Sequence, residues 1–111
     1  MKLEIGMYVR DIKGRIDKII GFKGALIEFE EDLMGGYIDE NDFVKASYNI
    51  IDILEVGDYV NGNPVCIIKE DEHNRKWIYT DSNYKYGYLE EDIKSILTHE
   101  QMEQMAYKVG E

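Results

Sequence analysis

The residues able to do chemistry are few, and their spacing does not suit catalysis. The chain has two histidines and one cysteine. His73 lies in the polar run "KEDEHNRK" and His99 in "LTHEQ", and neither stands beside a serine or cysteine in a local nucleophile pattern. An activated nucleophile needs a base within hydrogen-bond reach and a third group to orient that base. Nothing in the order of residues supplies such a set. Cys66 sits in the apolar run "VCII", where a thiol is expected to serve as a small buried hydrophobe. The metal patterns are also incomplete. "DSNYKYGYLE", from Asp81, begins like a calcium loop but carries Tyr86 where that loop turns on glycine, and "DENDFV", from Asp39, fails at the same place. Asp71, Glu72 and His73 are adjacent donors without the spacing of a zinc site, and no glycine-rich phosphate loop is present. The chain reads as non-enzymatic, with no catalytic residue, no metal and no cofactor.

Two other groups of residues could bind a partner. The first is acidic. Glu28, Glu30, Glu31 and Asp32 form one cluster, Asp39, Glu40 and Asp42 a second, Glu70, Asp71 and Glu72 a third, and Glu90 and Glu91 with Asp92 a fourth. Alternate residues of a strand point the same way about 7 Å apart, so Glu28 and Glu30 are expected to stand in a row. The second group is aromatic: Trp77, Tyr79, Tyr84 and Tyr86, with Tyr88 close behind. If residues 84–88 are extended, the three tyrosines share one side.

Thirteen lysines and arginines face twenty-three aspartates and glutamates, a formal net charge of −10. Nucleic acid and anionic membrane surfaces repel such a chain, so direct nucleic-acid binding is not expected and a charged partner should be basic. No apolar run reaches the length of a membrane span. The first residues lack a secretory pattern, and one cysteine permits no internal disulfide, which together point to a cytoplasmic protein.

The elements that must position these groups come from an internal repeat. "LEIGMYV" at residues 3–9 returns as "LEVGDYV" at residues 54–60. "GRIDKII" from Gly14 aligns with "GNPVCII" from Gly62, "LIEFEED" from Leu26 with "WIYTDSN" from Trp77, and "GYIDENDF" from Gly36 with "GYLEEDI" from Gly87. The second copy then has a shorter first loop and a second loop longer by the same amount. Each copy predicts short strands separated by turns, with an acidic helical turn before the last strand. Short strands at regular spacing predict an all-β sandwich or small barrel. In copy one, Ile27 and Phe29 should face inward; in copy two Ile78 should face inward, with Trp77, Tyr79 and Asp81 outward. Residues 48–53 lack proline and serine-rich flexibility and predict an ordered, buried connection joining the copies as one rigid pair. Near the end, Thr98 and Gln101 have capping-box spacing and Leu97 and Met102 staple spacing, which predicts a helix over residues 100–107 whose Met102 and Met105 cover a barrel.

The order of elements resembles the SH3-like and Tudor-like barrels. That resemblance implies two tandem SH3-like small barrels from an internal duplication, at residues 1–49 and 54–97, with a short C-terminal helix and tail at 98–111. Tudor-like barrels hold methylated lysine or arginine in aromatic cages, which would give Trp77, Tyr79, Tyr84 and Tyr86 a use. In size, charge and its Ile, Lys, Glu, Asp and Asn-rich make-up, the whole chain also resembles small acidic proteins of phages and mobile elements of Gram-positive bacteria. That likeness implies a phage-type inhibitor of host defence, anti-CRISPR-like, whose acids imitate nucleic acid and block the basic channel of a nuclease. The rival expectation is an SH3-like adaptor that binds a peptide or structural protein through the aromatic face.

Overall fold

Each half of the chain folds its short strands into an antiparallel sheet of the same order. The computed structural model describes residues 2–34 and 40–110, with the backbone alone for Glu40. In the first half β1 (Tyr8–Asp11), β2 (Ile16–Lys23), β3 (Leu26–Phe29) and β4 (Phe43–Ser47) lie in the order β3-β2-β1-β4. In the second, β5 (Tyr59–Val60), β6 (Asn63–Glu70), β7 (Lys76–Thr80) and β8 (Ile96–Leu97) lie in the order β7-β6-β5-β8, and one helix, α1 (His99–Met105), follows. The protein is thus mostly β. Among the described residues neither sheet closes on itself, and no helix is long and apolar enough to cross a membrane. One compact unit ends at Leu54 and the next begins at Glu55.

The strand registers correct one stretch of the sequence alignment. Tyr8 pairs with Lys18 and Tyr59 with Pro64. The amide of Gly6 donates to the carbonyl of Ile19, and that of Gly57 to the carbonyl of Val65. Ile19 therefore corresponds to Val65, not to Ile67. The matching identities of "GRIDKII" and "GNPVCII" are out of phase with the ladder. The first hairpin spans residues 10–16 beyond its last shared pair in unit one but only Asn61 and Gly62 in unit two. The second hairpin turns through Gly24 and Ala25 in unit one and through residues 70–76 in unit two. Length removed from one loop is returned in the other. Asn61 and Gly62 both take positive φ, 52° and 83°, the backbone of the two-residue hairpin turn whose twist matches the strands it joins.

Alternation sets the core. In β3, Ile27 and Phe29 are buried between exposed Leu26, Glu28 and Glu30. They pack with Val9, Ile19, Met34 and Phe43, and Phe29 meets Phe43 edge-on at 6.2 Å between centroids. In β7, Ile78 is buried between the half-buried Trp77 and Tyr79, with Asp81 exposed beyond. Ile27 and Ile78 hold equivalent ladder positions, opposite Phe22 and Ile68. Tyr37, Asp39 and the strand expected at "GYI" lie outside the described residues; its counterpart in unit two is a single bridge from Tyr88 to Ile78. Both acidic helical turns are present, as single 3₁₀ turns at Glu40–Asp42 and Glu90–Asp92.

The connection between the copies is ordered and belongs to unit one. A 3₁₀ turn, Ile50–Ile53, buries Ile51 and Ile53. The fully buried Arg10 donates from Nη1 to the Ile53 carbonyl at 2.9 Å, and Ser47 Oγ meets Asp52 at 2.6 Å. At the other end, Thr98 and Gln101 form the expected capping box. The helix is shorter than expected, because Ala106 leaves it in an extended conformation. Met105 does not cover a barrel: it is 73% exposed, while Met102 is half-buried.

Cys66 is exposed, against the expectation of burial. The cause is a β-bulge. The pairing of β6 with β7 shifts between Val65 and Ile67, as that of β2 with β3 shifts between Ile19 and Gly21. A bulge inserts one unpaired residue and re-aims its side chain, so Cys66 and its counterpart Ile20 both turn outward. The thiol lies 2.9 Å from Asp81 Oδ1, and that hydrogen bond raises its pKa. Native protein should therefore react completely with an aromatic disulfide reagent without denaturant, more slowly than a free thiol at the same pH. A thiol that reacts only after unfolding would refute the bulge.

Candidate functional site

The acidic residues separate into two kinds once their hydrogen bonds are traced. Asp11 and Asp71 each organise a hairpin end. Asp11 Oδ1 accepts the amides of Lys13 and Arg15, and its Oδ2 takes Arg15 Nε at 2.6 Å. Asp71 Oδ1 accepts the amides of His73 and Arg75, and its Oδ2 takes Arg75 Nε and Trp77 Nε1, both at 2.9 Å. The motif is Asp-x-x-Gly-Arg at residue 11 and Asp-x-x-Asn-Arg at residue 71, with positive φ at Gly14 and Asn74. It ends the first hairpin of unit one and the second hairpin of unit two, the two long loops of the pair. Asp71 was expected among the partner-binding acids; its carboxylate is instead committed to its own turn. The spacing of the two motifs was visible in the sequence and is the signal that could have found it.

Other acids do face water. Glu28, Glu30, Glu31 and Asp32 are all exposed, and among the described residues none of these four side chains makes a hydrogen bond or ion pair. Glu28 and Glu30 stand on the outward side of β3 and just past its end, where alternation placed them. Glu28 lies across Gly21, its Cδ 3.6 Å from where a Cβ would stand. Glu70, Glu72 and Glu91 are exposed, Glu90 is half-buried and Asp42 is exposed at the end of its 3₁₀ turn. Asp92 accepts the amide of Leu89 and so serves its own turn. Asp39 and the Glu40 side chain lie outside the described residues.

The aromatic residues do not lie on one extended segment. Residues 82–86 are turns and bends, not an extended segment. Thr80 and Asn83 close this loop, through hydrogen bonds from the Asn83 amide to Thr80 and from the Asn83 side chain to the Gly87 carbonyl. Trp77 and Tyr79 rest on the backbone of Gly87. A Cβ there would stand 3.0 Å from Tyr79 Cε1 and 3.3 Å from Trp77 Cε3, and φ is +76°. Gly87 is needed for both reasons. Three of the rings already carry a cation of this chain. Arg75 lies 5.8 Å from the Trp77 ring centre, Lys69 6.0 Å from Tyr79 and Lys85 5.5 Å from Tyr86. Tyr84 and Tyr86 extend into solvent, 76% and 72% exposed.

A third group was not anticipated. Glu55 Oε1 lies 2.8 Å from His99 Nε2, and Glu100 Oε1 lies 3.6 Å from the same nitrogen. The hydrogen bond to Glu55 raises the His99 pKa, against the lowering by burial. Buried Asp58 ties the two segments together, accepting the Glu55 amide at 2.7 Å and the His99 amide at 2.9 Å. Unit one has a simpler version in Glu4 and Tyr48, 2.7 Å apart, with Tyr48 packed by Gly6 as His99 is packed by Gly57.

No protein-family model, curated protein or solved structure matches this chain.

The commitment of Asp71 gives a pH prediction. Hydrogen bonds from Trp77 and from the Arg75 amide hold its carboxyl well below the usual carboxylate range. A depressed folded pKa contributes stability that is complete above the unfolded value, about 3.9. That stability is lost as pH falls from there through the lower folded value. Trp77 fluorescence in native protein should stay constant from neutral pH to about 4 and change only in stronger acid. Asp71→Asn should alter the neutral-pH signal and remove that acid step. An acid step unchanged in the variant would mean that another group controls the hairpin.

Proposed function

We propose that this chain is a non-enzymatic, acidic protein-binding protein that occupies the basic nucleic-acid channel of a nuclease, as a phage-type, anti-CRISPR-like inhibitor would. What carries the reading is the uncompensated row at Glu28, Glu30, Glu31 and Asp32, exposed and without side-chain partners among the described residues, on a chain of net charge −10. A strand spaces alternate carboxylates about 7 Å apart, and each nucleic-acid strand carries one charge per about 3.4 Å of axis. The row therefore matches every second phosphate. Anchoring on a hydrogen-bonded sheet gives it a fixed spacing that a disordered acidic tail lacks. The proposed scaffold is a pair of SH3-like units, a reading supported by the common strand order and by the 3₁₀ turn before each last strand. A cytoplasmic setting accords with the free thiol.

The second reading, an SH3-like adaptor, rests on the exposure of Tyr84 and Tyr86. A cage for methylated lysine or arginine is the less favoured form of it, because Arg75, Lys69 and Lys85 already lie over Trp77, Tyr79 and Tyr86.

One titration separates the readings. The partner recovered from the native host is titrated at low and high salt, with and without its nucleic acid. A mimic is displaced by nucleic acid and weakens with salt, since exposed charges are screened within about 10 Å at 0.1 M. Glu28→Lys with Glu30→Lys should slow association more than it speeds dissociation. Binding that ignores salt and competitor, yet is lost in Tyr86→Ala with an unchanged melting temperature, would replace the mimic with the adaptor.

A further inference from the structure

The convergence of Glu55, His99 and Glu100 has no role in the proposed inhibitor. Each offers one ligand atom, and the three atoms lie within 4.8 Å of one another. The donors come from separate parts of unit two, Glu55 from the turn before β5 and the other two from the first turn of α1. Their backbones are held in register by the buried carboxylate of Asp58, which binds the amides of both Glu55 and His99. The site is open to solvent, with side-chain exposures of 41% for His99, 30% for Glu55 and 21% for Glu100.

We propose that Glu55, His99 and Glu100 form a binding site for one divalent transition-metal ion, of which Zn²⁺ is the best fit. One imidazole and two carboxylates form a donor set that borderline metals accept and that magnesium and calcium, which seek oxygen, do not favour. A zinc ion holds such ligands at about 2.0–2.2 Å. Nε2 already stands 2.8 Å from Glu55 Oε1 and 3.6 Å from Glu100 Oε1, so small side-chain rotations bring all three onto one ion. The ion takes the place of the proton between Nε2 and Oε1. Two carboxylates leave a net charge of zero once a divalent ion is bound to neutral imidazole, and solvent completes the coordination. The first unit supplies an internal contrast. There Glu4 meets a phenol, Tyr48, just past the end of β4. By strand register Asn49 and Ile50 stand where unit two has His99 and Glu100, so that end of the sheet has a hydrogen bond in one unit and a set of metal donors in the other. A bound ion would clasp α1, a helix of seven residues, to the turn before β5.

The test uses the full, untagged chain after chelator treatment and dialysis, in mildly alkaline buffer. Zn²⁺ is titrated by calorimetry, and Co²⁺ by the visible bands that report coordination. The expected result is one equivalent bound, with Co²⁺ bands and a raised melting temperature, because a ligand that binds only the folded state stabilises it. His99→Gln and Glu100→Gln should each abolish the bands; the second removes only a carboxylate that is partly exposed, so it tests the site if the first misfolds. Cys66→Ser, His73→Gln and Glu4→Gln should leave stoichiometry and bands unchanged. No binding by the folded wild-type chain overturns the proposal, as does binding that survives both His99→Gln and Glu100→Gln or disappears with Cys66→Ser or His73→Gln.

Discussion

Carboxylates that turn back on their own backbone hold this structure together. Asp17 accepts the amides of Lys18 and Glu31 on one oxygen and that of Leu33 on the other. Asp58 joins the turn before β5 to the start of α1, and Asp11 and Asp71 close the two long hairpins. Each of these acids does work that a larger domain assigns to its core. Short units bury only a modest share of their surface, and unit two buries few large apolar side chains, with Thr80 standing where unit one has Phe29. A buried amide left without an acceptor costs about 1–3 kcal/mol. One ionised carboxylate, with about four acceptor sites, removes several such costs together.

Aspartate rather than glutamate fills these places for a geometric reason. At Asp11 and Asp71 its short side chain reaches amides two and four residues on; at Asp17 and Asp58 it holds amides from distant segments. Glutamate carries its charge farther from the chain. In unit one Asp11 and Asp17 are buried and Glu28, Glu30 and Glu31 stand in solvent, while Asp32 and Asp42 are exposed as well. The net charge of −10 therefore overstates the charge free to meet a partner.

Strand positions, the inward set in β3 and β7, the 3₁₀ turns and the capping box at Thr98 were legible in the sequence, because each rests on a local rule of period two or on a fixed short spacing. The sequence misled where a local pattern admits a shift. "VCII" and "DKII" look equivalent, but the shorter first hairpin of unit two sets them two residues out of phase, and the bulge after Val65, shared with Ile19, leaves Cys66 outward. Alternation cannot reveal a bulge, since the extra residue leaves composition unchanged. The path of residues 82–86 was hidden for a related cause: an extended segment would align Tyr84, Tyr86 and Tyr88, whereas Thr80 and Asn83 fold the chain into a loop. Glu55 and His99 were missed because they are far apart in sequence and no metal-ligand spacing joins them; only the fold brings them together.

The two units show which parts of such a fold are free to change. The hydrogen bonds of Gly6 to Ile19 and Gly57 to Val65, the strand order and the bulge are common to both. The long hairpin has exchanged places, carrying its Asp-x-x-x-Arg end with it. That end is largely local: its backbone and arginine hydrogen bonds run from the aspartate to the arginine four positions on, and in unit two Trp77 adds one from β7. A loop held mainly by its own hydrogen bonds can sit on either hairpin and ask little of the sheet. The side chains that project from the shared frame, by contrast, have little in common. Acids stand on β3 where aromatics stand on β7, and the glutamate at the head of each unit meets a phenol from Tyr48 in one and an imidazole from His99, one register position farther on, in the other. Since the frame is fixed by backbone pairing and inward aspartates, those outward positions have been free to differ between the units, and Trp77 has been drawn into a local contact with Asp71 that β3 has no counterpart for.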